Sequence, residues 1–250
     1  SKNYGTVFRI TADGALTTLV TFDGENGGYP QGGWATEVDG GRDGTTSGGG
    51  MNFRGTVFRI TTNGILTKLA SFDGTNGDYP SAALTFGNDG FFYGTTAFGG
   101  SSDVGTIFRI GTNGNLTALA SFSQTNGANP YSALLEGSDG AFYGTTSTGG
   151  AYDMGTVFRV TTDGDLTTLV SFDNTNGANS QTSLTLGEDG AFYGTTSQGG
   201  SNNWGTVFRI TINGSLTTLV SFSSNTQLGF PNTDLISDNR GAFYGAAGKL

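Results

Sequence analysis

Residues 31–46 read QGGWATEVDGGRDGTT and gather Trp34, Glu37, Asp39, Arg42 and Asp43 in one short stretch. Two or three carboxylates beside an arginine shift one another's proton affinity, and such a set supports acid–base or glycosidase-type chemistry. The rest of the chain narrows the options. Its 250 residues contain no His and no Cys. Thiolate nucleophiles, disulfides and zinc or haem sites of the usual ligand types are excluded, and the commonest general base is missing. No metal and no cofactor is expected. Any reaction would rest on carboxylates, Tyr, Ser, Lys or Arg.

The elements that position this stretch are set by a repeat. GTVFRI or a near copy begins at Gly5, Gly55, Gly105, Gly155 and Gly205, a period of 50 residues that fills the chain five times. Each period holds four short runs rich in Val, Ile, Thr, Phe and Tyr, which in residues 131–180 are SALLEG, FYGTTS, GTVFRV and LTTLVSF, here called A to D. A–B and C–D are joined at Asp-Gly or Asn-Gly, the signal of a tight type I′ hairpin. B–C and D–A are joined by longer loops. No window has helical apolar spacing. Four antiparallel strands per 50 residues is the pattern of a propeller blade, so the chain is expected to be all-β, a single five-bladed β-propeller over residues 1–250. The chain enters just before a C run and ends in a B run. Pairing the first C–D strands with the last A–B strands would close the ring and remove both free edges.

Against this frame the opening stretch is the A–B pair of one blade. Four counterparts place Phe-Tyr before the glycine, in GFFYGTT, GAFYGTT twice and GAFYGAA; this copy places Arg42-Asp43 there. Three readings stand: an active site, a ligand site of Trp34, Glu37, Arg42 and Asp43 near a central channel, or a blade that has lost its packing. The glycine-rich text favours the last. The repeated Arg9, Arg59, Arg109, Arg159 and Arg209 are read as structural arginines between blades rather than a ring of anion sites. DGTNGD at 73–78 is read as turn chemistry, because its other copies lose the spacing a calcium loop needs.

Copies differ most just before each GTVFRI. The B–C loops read SKNY, MNFR, SSDV, AYDM and SNNW, and present Tyr4, Phe53, Arg54, Asp103, Tyr152, Asp153, Asn202, Asn203 and Trp204. The D–A loops emerge on the same face. Aromatic tips beside Asn and Asp suit a sugar ring or a protein partner. The alternative is unconstrained loop drift. The net charge of −9 argues against nucleic acid and anionic membrane partners, and no apolar run is long enough to span a membrane. No signal or anchor segment is read in the chain.

The consensus GTVFRIT..G.LTTLVSF with FYGTT and GG resembles the GloVer-type tandem repeat across essentially the whole chain. That resemblance implies a secreted or surface-anchored bacterial protein and no defined catalytic residues. The combined expectation is a non-enzymatic extracellular or cell-surface propeller that recognises glycans or a protein partner through its variable loops. Two alternatives remain. One is a self-associating structural module of a surface layer or filament. The other is a carboxylate-based glycan-active enzyme using residues 37–43.

Overall fold

A computed structural model describes residues 3–36, 40–223 and 229–248. They form strands and turns, with no helix. The chain divides into two compact units, Ser1–Ala118 and Leu119–Leu250.

In the first unit, β1 (Thr6–Ile10) and β2 (Leu16–Thr21) pair as a two-stranded sheet. Next come β3 (Gly28–Pro30), β4 (Ala35–Thr36), β5 (Arg42–Gly48), β6 (Thr56–Ile60) and β7 (Leu66–Ser71), in the order β3-β5-β6-β7 with β4 also on β5. A four-stranded sheet follows from β8 (Thr85–Phe86), β9 (Phe92–Thr96), β10 (Thr106–Ile110) and β11 (Leu116–Ser121); the unit boundary falls within β11. In the second unit, β12 (Leu135–Glu136), β13 (Phe142–Thr146), β14 (Thr156–Val160) and β15 (Leu166–Ser171) make one sheet. Another holds β16 (Thr185–Leu186), β17 (Phe192–Thr196), β18 (Thr206–Ile210) and β19 (Leu216–Ser221). Two-stranded sheets pair β20 (Gly229–Pro231) with β23 (Ala247–Gly248) and β21 (Ile236–Ser237) with β22 (Phe243–Tyr244). The complete sheets run A-B-C-D in sequence order, all antiparallel, as the runs of the repeat require.

One expectation changes. The A–B hairpins are not type I′, which needs positive φ at both central residues. Gly140 lies at φ 73° while Asp139 does not enter that region. Gly137 N–H donates to Ala141 O at 2.8 Å, so the turn is a longer one closed by a left-handed glycine. Within the first unit, the first C–D pair stands as a two-stranded sheet. Its Phe8, Ile10 and Leu16 are 60, 62 and 66% exposed, where the equivalent Phe58 and Ile60 are 1 and 3% exposed.

The reason lies in how repeats bury their strands. Alternate residues of a C strand face opposite sides of its sheet. Val7, with Leu19, Val20 and Phe22, covers one side of the first pair and meets Phe58, Ile60 and Leu66 of the next repeat. Phe22 and Phe58 touch edge to face, centroids 5.2 Å apart. Phe172 and Phe208 repeat the contact at 5.4 Å. Phe8 belongs to the side that receives a preceding repeat. Inside each blade, a buried threonine pair joins strands B and C: Thr46–Thr56, Thr96–Thr106 and Thr196–Thr206 at 2.8 Å, Thr146–Thr156 at 2.9 Å. Each B-strand hydroxyl also accepts the partner's backbone N–H.

Candidate functional site

A groove of about 480 Å³ opens on the loop face of the first unit. Its walls are Tyr4 ahead of β1, Asp23 and Glu25 after β2, Met51 and Phe53 after β5, and Lys68 on β7. The D–A loop is built by its own polar atoms. Asp23 Oδ1 accepts the N–H groups of Glu25 and Asn26, both at 2.9 Å, and Asn26 Oδ1 accepts Asp23 N–H at 3.0 Å. This turn spends the Asp23 carboxylate on backbone and points Glu25 outward. Tyr4 lies against the loop so closely that a Cβ on Gly28 would sit 2.8 Å from its Cδ1. Lys68 Nζ reaches across to Glu25 O at 2.9 Å. Phe53 holds φ 58°, a strained conformation for a bulky side chain.

The site is asymmetric among the repeats. Thr75, Thr125 and Thr175 stand where Glu25 stands, and Thr18, Ala118, Thr168 and Thr218 where Lys68 stands. Lys68 is the only lysine among the described residues. A carboxylate, an ammonium and two aromatic walls can hold an oxygen-rich ring, take a proton from water and face a developing oxyanion. The expectation of loop-face aromatics found Tyr4 and Phe53. It missed Glu25 and Lys68, whose signal was a charge replacing Thr within an otherwise uniform phrase.

The other loop-tip residues do not converge there. Asp103, Asp153 and Asn203 sit at φ 57°, 58° and 57°. Their side-chain oxygens accept the N–H of Gly99 (3.0 Å), Gly149 (2.9 Å) and Gly199 (2.9 Å), the local bonding that makes Asn and Asp suited to this backbone. Arg54 pairs with Asp78 on the neighbouring loop. Trp204 packs on Phe230, centroids 5.4 Å apart. Tyr152 is exposed.

The 34–43 stretch also separates. Glu37 and Asp39 lie outside the described residues. Arg42 is exposed and donates to Gly40 O at 2.8 Å, while Asp43 is fully buried opposite Arg59 in the strand register. Trp34 meets Phe58 edge to face at 5.7 Å. Trp34 and Arg42 line a second groove, about 350 Å³, with Phe8, Arg9 and Ile60. The strand pairing of this blade is kept. β5 pairs with β6 in the register of the other copies, Arg42 to Ile60 as Phe142 to Val160.

Arg159 and Arg209 are structural, and act within a blade rather than between blades. Arg159 Nη2 and Asp139 Oδ2 lie 2.7 Å apart, and Tyr143 Oη donates to the same oxygen at 3.0 Å. Burial acts to raise the Asp139 carboxyl, but the hydrogen bonds from Arg159, Tyr143 and Ala141 N–H outweigh it and hold the carboxyl below its ordinary value. Arg209, Asp189 and Tyr193 repeat the arrangement. At Tyr93, burial and the adjacent Asp89 push the phenol up to about 12.

The Gloeobacter/Verrucomicrobia repeat matches residues 1–136 and 37–249, which bears out the sequence resemblance. No protein of curated function matches. Among solved structures, the fold is similar to virginiamycin B lyase from Staphylococcus aureus, with 19% identity, 98% of this chain and 71% of that one covered, and a TM-score of 0.67. It is similar to the periplasmic gluconolactonase of Pseudomonas aeruginosa, with 16% identity, 92% and 68% covered, and a TM-score of 0.57. It is also similar to the extracellular domain of a hybrid two-component system protein from B. thetaiotaomicron, with 14% identity, 97% and 31% covered, and a TM-score of 0.59. These likenesses establish a propeller-type fold. They also correct the expectation of a non-enzymatic binding protein, because two of the three scaffolds carry catalysis. That expectation rested on near-symmetric repeats, and the groove at Glu25 and Lys68 breaks the symmetry. No helix of the described residues is long and apolar enough to cross a membrane.

Proposed function

The chain belongs to the Gloeobacter/Verrucomicrobia repeat family, and on that scaffold we propose an enzyme that opens a small, oxygen-rich cyclic ester by hydrolysis. The observation that carries this is the convergence of Glu25 and Lys68, each confined to one repeat, with Tyr4 and Phe53 in the groove of the first unit. The likeness to a gluconolactonase supports the choice of substrate class. Tyr4 and Phe53 flank the ring. Glu25 takes a proton from water as its oxygen bonds to the ring carbonyl carbon. The tetrahedral oxyanion faces Lys68. The ring C–O bond then breaks, and Glu25 returns the proton to the leaving alkoxide, giving a hydroxy acid. Four of the five repeats carry both strands B and C of a blade, and we read all five as blades of one propeller domain. An extracellular or periplasmic setting is part of the proposal, supported by the solved relatives found there.

A pH-stat assay across sugar lactones and simple lactones tests the reaction. Glu25→Gln is expected to lower kcat about a hundredfold or more. Lys68→Met is expected to lower kcat with a smaller effect on KM. Absence of lactone turnover in the parent protein, or an unchanged rate in Glu25→Gln, rejects the reading.

A further inference from the structure

Phe53 adopts a backbone conformation from which its own side chain gains nothing. In repeats three to five the same position carries Asp103, Asp153 and Asn203, at φ 57°, 58° and 57°. Their side-chain oxygens accept the N–H of Gly99, Gly149 and Gly199, all buried. Phe53 keeps the turn, with φ 58° and its N–H donating to Gly50 O, but a phenyl ring offers Gly49 N–H no acceptor. A bulky side chain in this region of φ is strained. Tyr29, Tyr79 and Phe230 share that strain. Each lies against another ring: Tyr4, Phe98 and Trp204, at 5.8, 5.9 and 5.4 Å between centroids. Phe53 meets no ring among the described residues and is 72% exposed.

The gap beside Phe53 is also built differently from its counterpart. The loops after β2 and β5 are tied by Gly50 N–H to Gly24 O at 2.8 Å. The corresponding loops of the second unit are tied by Gly150 N–H to Gln124 O at 2.8 Å. There, Gln124 Nε2 also donates to Asp153 Oδ1 across the gap. In the first unit Gly24 and Phe53 hold those two places, so no such bridge can form. Met51 stands where Ser101, Ala151 and Ser201 stand, and is 81% exposed. The backbone tie is shared, and the difference is confined to side chains: small or bridging in the other copies, large, apolar and unbridged here.

We propose that Met51 and Phe53 form an apolar subsite for an aliphatic chain carried by the lactone ring. The inference rests on the hydrolase reading of this groove. A groove of about 480 Å³ is in the range that holds ligands of drug size, so a ring at Glu25 and Lys68 leaves room beside it. The charged groups come from the D–A loop and β7, and the two apolar ones from the loop after β5. The polar head and apolar tail of such a substrate therefore meet chemically distinct walls. Methionine is unbranched and rotates to fit an irregular chain, and a phenyl face adds a broad apolar surface. Covering Met51 and Phe53 with an alkyl chain removes apolar area of both partners from water. The strain at Phe53 is then offset in the complex, where the ring at last has something to pack against.

γ-Valerolactone and γ-decalactone test this, because they share one ring and differ only in a methyl against a hexyl substituent. In a pH-stat the parent is expected to hydrolyse the hexyl lactone with kcat/KM about tenfold above the methyl one. Phe53→Asn and, separately, Met51→Ser are expected to bring that ratio to about two or less. Phe53→Asn is also expected to melt about 2–4 °C above the parent, because it relieves the strain and restores an acceptor for Gly49 N–H. A ratio near one in the parent overturns the subsite. So does an unchanged ratio in either variant, or a Phe53→Asn protein that melts no higher than the parent. A parent that turns over no lactone rejects the hydrolase reading, and the subsite is then judged by binding alone. Calorimetric titration with the two matching lactams, which resist hydrolysis, is expected to favour hexyl over methyl about tenfold in the parent, with the preference lost in Phe53→Asn. Equal affinity of the parent for the two lactams, or a preference kept in the variant, overturns it.

Discussion

Phe58 and Phe8 occupy the same place in the same phrase, GTVFRI, and differ only in what covers them. Phe58 is 1% exposed, with Phe22 at 5.2 Å and Trp34 at 5.7 Å between ring centroids. Truncating such a ring removes its transfer energy and leaves a cavity, about 3–5 kcal/mol. Phe8 keeps 40% of its surface from water by the same measure, since 60% is exposed. At about 2.5 kcal/mol for a fully buried phenylalanine, that share is ~1 kcal/mol, with no enclosed cavity to add. Phe58→Ala should therefore cost about 3 kcal/mol more than Phe8→Ala. Urea unfolding in dilute solution reads this directly, and Trp34 beside Phe58 reports the first unit by fluorescence. Equal midpoint shifts for the two variants would falsify the packing argument, because they would mean that the outer side of β1 is covered in the monomer. A Phe58→Ala cost under about 1 kcal/mol would mean that repeat-to-repeat packing contributes little.

Three further outcomes follow from the blades. Asp139→Asn should cost about 1 kcal/mol at neutral pH, since it weakens the contacts to Arg159 and Tyr143 at side chains under one-third exposed. The Asp139 carboxyl titrates below its ordinary 3.8, so its contribution is present above that pH and lost as pH falls through the lowered value. The gap between parent and variant in chemical denaturation should narrow in acid, and a constant gap argues against the ion pair. Tyr93 should ionise late, near 12, in an ultraviolet titration, and that step should vanish in Tyr93→Phe. Its phenol resists ionisation when folded, so stability is lost as pH rises from about 10 through 12. Gly144→Ala places a Cβ 2.6 Å from Phe158 Cζ and should cost about 1–3 kcal/mol. Gly140→Ala meets nothing within 4 Å, and its φ of 73° alone should cost about 1 kcal/mol. Thermal melts that rank these two glycine variants in the reverse order count against the steric account.

The blade was legible because its signals agree: alternating Val and Phe in GTVFRI, turn glycines, and a strict period. The positions of the 34–43 residues were not. Phe92 and Tyr93 are both buried, so alternation in the other copies gave no hint that Arg42 would face outward and Asp43 inward. The groove at Glu25 was hidden for another reason. Attention to the B–C loop tips found Tyr4 and Phe53, but the charges come from strand D and the D–A loop, where a single Thr-to-Glu or Thr-to-Lys difference leaves the local pattern intact. Asp103, Asp153 and Asn203 looked like adaptable tips because loop variability alone does not separate a ligand contact from a side chain that bonds its own backbone.

The threonine pairs on strands B and C have a consequence for the gene as well as the protein. Each pair closes between residues ten apart, such as Thr146 and Thr156, so the fastening is carried inside one period and owes nothing to distant repeats. Unequal crossing-over that adds or deletes 50 residues in register would hand over every blade with its fastening intact. Array length can then drift without refitting the parts, and selection is free to differentiate single copies.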